Sequence, residues 1–300
     1  MRFKSTWGAG VVAFGALVTG ANAADDAATV AQALAPASAA LQYFSEPPPN
    51  SGAAKFNLGD RLRGPGFVTV GWAGSKKQVI LPSGEWVVLA AVDYANSSSS
   101  VKLATFVFGK FSGDRLAASL SVTVNRYATP VTRWTDIEGC AAPDASLLYQ
   151  DATAMSALHV ECVRVHGAAG GLPANGAVVE EVRASLQRLG ARVGGPALIT
   201  QLYYAEKPHG YLRIVRADWP GAAWQGGAGQ AADWRPEGVA ASEPRKAYVQ
   251  QLVRWVQGYR PVANQGFHRV FDDDDLVPGG TGPAHLGGVV DFAPAMRSGA

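Results

Sequence analysis

The chain has 300 residues, 48% of them hydrophobic and 17% charged, with 35 Gly and 18 Pro. That composition excludes a coiled coil, a collagen-like repeat and a highly charged disordered chain, because it holds enough apolar side chains for a sizeable core. The formal charge of +2 is small, so the concentrated positive charge that phosphate binding demands is missing and no nucleic-acid partner is expected.

Arg2 and Lys4 precede an uncharged apolar run from Trp7 to Val18, followed by Ala21, Asn22 and Ala23. This pattern reads as a secretory signal peptide over residues 1–23, cleaved after Ala23. The run is shorter than the roughly 20 residues of a membrane-spanning helix, and no later segment is longer, so no membrane anchor is expected. Removing residues 1–23 takes away two basic residues and no acidic one, leaving 24 of each sign. The expected location is the periplasm or the exterior. In that compartment Cys140 and Cys162 are expected to form a disulfide, with no Cys-x-x-Cys motif to suggest redox catalysis.

Residues 24–57 are rich in Ala and Pro and read as a linker into a globular domain over residues 58–271. Extended segments follow: Phe67 to Trp72, Gln78 to Leu81, Trp86 to Tyr94, Val101 to Phe111 and Leu116 to Asn125. In the last, Leu116, Ala118, Leu120, Val122 and Val124 alternate with Ala117, Ser119, Ser121 and Thr123, giving one apolar and one polar face. A further strand is expected from Leu158 to Val165.

A helix is predicted from Asn175, with Val178, Val179, Val182, Leu186, Leu189 and Val193 on one stripe and Gly194-Gly195 as its stop. A hairpin of Leu198 to Ala205 and Tyr211 to Asp218 follows, turning through Lys207-Pro208-His209-Gly210. A second helix is predicted from Ser242-Glu243-Pro244 to about Arg260, ended by Pro261. Residues 272–300 read as an acidic and Gly/Pro-rich tail. The expected class is α+β, a largely antiparallel sheet with two amphipathic helices. A β-sandwich with appended helices is the alternative.

Standard catalytic signatures are missing. Ser99-Ser100-Val101-Lys102 matches a Ser-x-x-Lys pattern but runs from a turn into a strand, where the two side chains cannot meet one helical turn apart. Asp272 to Asp275 lack the alternating spacing of a calcium loop and read as a solvated acidic turn. His159, His166, His209, His268 and His285 show no zinc-ligand spacing, so no metal and no cofactor are expected. His209 shares its hairpin tip with Glu206, Tyr203, Tyr204 and Tyr211, the elements of an acid/base set if a cleft adjoins them.

Trp219, Trp224 and Trp234 fall in one Gly- and Ala-rich loop. Their rings either pin that loop to the core, the default for so flexible a sequence, or offer a flat surface to sugar rings or peptide side chains. The candidate ligand residues are therefore Trp219, Trp224, Trp234 and His209. The expected role is binding of an envelope protein or glycan without catalysis. The rival is a periplasmic hydrolase whose catalytic groups meet only in three dimensions.

Overall fold

The computed structural model describes residues 43–44, 54–70, 76–95, 102–125, 140, 144–155, 159–170, 172, 176–206, 210–222 and 229–268. All lie in the unit formed by Pro36–Ala300. Two short strands, β1 (Tyr43–Phe44) and β2 (Ala54–Lys55), pair in parallel. The eight others are β3 (Arg61–Val70), β4 (Lys77–Ala95), β5 (Lys102–Ser112), β6 (Arg115–Asn125), β7 (Tyr149–Met155), β8 (His159–Ala168), β9 (Ala197–Glu206) and β10 (Gly210–Asp218). They form one antiparallel sheet in the order β3-β4-β5-β6-β10-β9-β8-β7. The class is thus mixed α+β with a single eight-stranded sheet, and the sandwich alternative does not hold for the described residues.

Two four-stranded meanders, β3 to β6 and β7 to β10, join where their last strands pair. That joint puts β6 and β10 at the centre of the sheet, with neighbours on both sides. Val122 lies opposite Ile214 and Thr123 opposite Arg213, so successive residues of these strands face opposite sides.

Three α-helices are described: α1 (Gly176–Arg188), the short α2 (Pro236–Ala240) and α3 (Glu243–His268). On the first face α3 buries Val249, Leu252, Val256 and Phe267 in one cluster with Leu120, Val122, Leu202 and Ile214. Each such side chain contributes about 1.5–3 kcal/mol when fully buried. On the second face α1 buries Val178, Val182 and Leu186 with Leu89, Val107, Val215 and Ala217. No described helix is long and apolar enough to cross a membrane.

Strands β1 and β2, inside the stretch read as a linker, and helix α2, a third helix where two were expected, have no counterpart in the sequence reading, and four further elements depart from it. Gln78 to Leu81 and Trp86 to Tyr94 belong to the single strand β4, which passes through Pro82 at a register shift where the missing N–H is tolerated. Gly64 permits the close approach there, since a Cβ on it would meet the Pro82 carbonyl oxygen at 2.0 Å. Strand β7 was not expected at all. Helix α1 ends at Arg188, short of the predicted stop at Gly194-Gly195, and Gly190, with φ +60°, turns the chain just beyond it; the end is closed by the Ala191 N–H donating to the Leu186 carbonyl at 2.8 Å.

The fourth departure is α3, which runs through Pro261 to His268. Pro261 is exposed, so the carbonyl it leaves without a donor faces water, while Val262, Ala263 and Phe267 beyond it are buried and hold the last turns down. Phe56, inside the stretch read as linker, is also buried and packs 5.1 Å from Phe106 and 5.6 Å from Phe108 between ring centroids.

Candidate functional site on the second sheet face

Two polar constellations emerge, one on each face of the sheet. On the α3 side, Arg260 donates from Nε to Glu161 at 2.7 Å and from Nη1 to Asp151 at 2.6 Å. Burial opposes its charge, but the hydrogen bond and charge of Glu161, with Asp151, outweigh that and hold the guanidinium above its ordinary range. Glu206 lies between His159 and His268, at 3.6 and 3.5 Å. These distances exceed those of good hydrogen bonds. The network ties the end of α3 to β7, β8 and β9, and its carboxylates face basic partners in an arrangement that docks a helix. A second pair on this face, Arg216 and Asp218, is bidentate at 2.7–3.0 Å and buried beneath the Trp255 ring, 4.4 Å away.

The opposite face is built differently. The register carries Thr105, Thr123, Arg213, Tyr203 and Cys162 across five strands in one row. Cys162 is disulfide-bonded to Cys140, with a Cα–Cα separation of 6.0 Å that suits a bridge. The two cysteines form a buried cluster with Tyr203, and Tyr211 packs against it. Tyr203 in turn lies under Arg213, whose guanidinium carbon is 5.4 Å from the ring centroid. The disulfide therefore buttresses the ring on which the arginine rests.

Around that stack the donors and acceptors are ordered. The Tyr203 hydroxyl donates to Gln201 Oε1 at 3.0 Å, leaving the Gln201 amide N–H groups to face outward from that bond. Thr105 and Thr123 share a buried 2.8 Å hydrogen bond. Asn125 Oδ1 accepts from the Tyr211 backbone N–H at 2.8 Å, fixing the start of β10. Further along, burial pushes the His166 imidazole below its ordinary pKa, offset in part by its contact with the Gly167 carbonyl.

Of the residues nominated from sequence, the two that are described, Trp219 and Trp234, lie in different clusters. Trp219 is buried among the α1-side residues and Trp234 among the α3-side residues, where Tyr248 meets it edge-on at 5.7 Å. Neither ring presents a flat surface to solvent. Trp224 and His209 lie outside the described residues, as do residues 1–23 and 269–300. Gly210, next to His209, and Asp218, next to Trp219, are opposite ends of β10, roughly 27 Å apart at the strand rise. The acid/base set at the tip is divided too, since Tyr203 and Tyr211 face the disulfide side while Tyr204 and Glu206 face α3.

Arg213 and Gln201 were missed by sequence reasoning. The alternation Leu212, Arg213, Ile214 places an arginine opposite an apolar face, but its surroundings depend on register between strands that sequence does not give. His159 and His268 are remote in sequence, and only the fold brings both to Glu206. Among the described residues no group of three or more His, Cys, Asp or Glu is arranged to hold a metal ion.

No family model and no curated protein matches the chain. Among solved structures it is similar to a possible transcriptional regulator, YydK, from Bacillus subtilis subsp. subtilis str. 168, at 8% identity and a TM-score of 0.24, covering 46% of this chain and 57% of that one. A transcriptional regulator of the GntR family from Enterococcus faecalis V583 is similar at 10% identity and a TM-score of 0.24, covering 48% and 94%. Likenesses at that score carry no argument about this chain.

Proposed function

We propose that this is an exported protein, its signal peptide cleaved after Ala23, that binds an envelope component in the periplasm without catalysis. Peptidoglycan is the component we favour. The observation that carries the reading is the row of Thr105, Thr123, Arg213 and Tyr203 beside the Cys140–Cys162 bridge. The half-buried Arg213 guanidinium and Gln201 amide suit a ligand rich in hydroxyls and amides, held in place from beneath by the buried Tyr203 ring and the buried Thr105–Thr123 hydroxyl pair. The disulfide agrees with an oxidising compartment. The rival hydrolase needs an acid or base at liberty to act, and Arg260 holds two of the three carboxylates of the α3-side network, Asp151 and Glu161, in hydrogen bonds.

Co-sedimentation with purified peptidoglycan sacculi tests this. Retention in the pellet with no soluble fragments released supports the proposal. Release of soluble muropeptides would replace it with the hydrolase reading, and absence from the pellet would remove peptidoglycan as the ligand.

A further inference from the structure

We infer that Arg213 is the anchor for a carboxylate carried by the ligand, an inference that rests on reading the second sheet face as the binding surface. Arg213 is half-buried at the centre of the sheet, and its Nε is sealed from solvent with no hydrogen-bond partner among the described residues. No described carboxylate lies within ion-pair distance of it. The register explains why: its neighbours on that face are Thr123 and Tyr203 directly opposite, then Ser121, Asn125, Gln201 and Ala205 on the diagonals, and Tyr211 and Val215 along its own strand. None is acidic.

Every other described arginine held in the sheet's interior has a carboxylate: Arg216 has Asp218, and Arg164 has Asp144 at 3.6 Å. A partly desolvated cation without a counter-charge is costly, and the planar fork of a guanidinium matches a carboxylate in two parallel hydrogen bonds. The Gln201 amide, turned by the Tyr203 hydroxyl so that its oxygen is occupied, adds an N–H donor on the adjoining strand. The Tyr203 ring lies beneath the guanidinium, 5.4 Å from its central carbon, on the side away from the proposed carboxylate.

The test is calorimetric titration of the disulfide-bonded protein with three probes: muramyl dipeptide with its free terminal carboxylate, the methyl ester of the same compound, and glucose 6-phosphate. The wild-type protein should bind the acid at least about tenfold more tightly than the ester, the scale of a lost hydrogen bond to a charged group. Arg213→Gln should bind acid and ester alike. Equal wild-type affinity for the two would overturn the inference while leaving the binding face in place, and this comparison decides even if the variant does not fold. Tighter binding of glucose 6-phosphate than of the dipeptide would overturn the carboxylate assignment. Binding of none of the three would overturn both the binding reading and the inference.

Discussion

Tyr203 and Tyr204 are adjacent in sequence and serve opposite faces of the sheet. Tyr203 supports Arg213 beside the disulfide, while the Tyr204 hydroxyl donates a 2.8 Å hydrogen bond to the backbone carbonyl of Arg260 in α3. One anchors the proposed binding surface and the other anchors the helix. Tyr204 sits in an apolar setting, and burial, with Glu161 nearby, raises its pKa well above the ordinary value, so it remains a neutral donor. Tyr204→Phe should therefore lower stability by about 0.5–1.5 kcal/mol, read by urea unfolding, and leave ligand binding unchanged.

The bridge between Cys140 and Cys162 closes a separation of 22 residues. In the chain-entropy model this contributes about 3 kcal/mol. Mass spectrometry under non-reducing conditions should find no free thiol, and Cys140→Ser with Cys162→Ser should lower stability by up to that amount. Because Tyr203 packs against the bridge, the double variant should also weaken binding. Unchanged binding would separate the disulfide from the surface.

Gly167 tests the placement of the tryptophan loop. A Cβ there would meet the Trp234 backbone carbonyl oxygen at 2.2 Å, and backbone cannot swing aside as a flexible side chain can. Gly167→Ala should displace the 3-10 turn Ala231–Trp234, costing about 1–3 kcal/mol. A lowered melting temperature together with altered tryptophan fluorescence is the expected result.

His166 supplies a pH dependence with a definite sign. Burial lowers its folded pKa from 6.5. Above that value the ring is neutral in both states and contributes no slope. As pH falls below 6.5 the unfolded chain takes up a proton that the folded ring resists, so stability declines until the depressed folded pKa is passed. His166→Gln should flatten that part of the stability–pH curve, measured by urea unfolding at neutral pH and about two units lower.

The strands richest in β-branched and aromatic residues were legible in sequence because their alternation is local: Leu116 to Asn125 and Tyr211 to Asp218 fall within β6 and β10. Strand β7 was not, since Tyr149 to Met155 carries Gln150, Asp151 and Thr153, and its place at the sheet edge follows from pairing with β8 alone. Helix α3 was legible up to Pro261, where the local rule for proline yields to burial of Val262 and Phe267 further on. The candidate surface was half visible. The polar series Ser119, Ser121 and Thr123 shows in one strand, but its union with Arg213, Tyr203 and the bridge is a property of cross-strand register. Trp219, Trp224 and Trp234 stand out from a Gly- and Ala-rich sequence, but burial of Trp219 and Trp234 comes from long-range packing.

The central claim, that the disulfide side of the sheet and not the α3 side receives the ligand, is tested most directly by two-dimensional nitrogen–proton NMR on the folded protein. Soluble peptidoglycan fragments are added while the Arg213 Nε–H, the Gln201 side-chain amide and the Arg260 Nε–H are followed. The account predicts that the Arg213 and Gln201 signals move and saturate together while Arg260, held by Glu161 and Asp151, stays in place. Movement of Arg260 with Arg213 and Gln201 unmoved would contradict it.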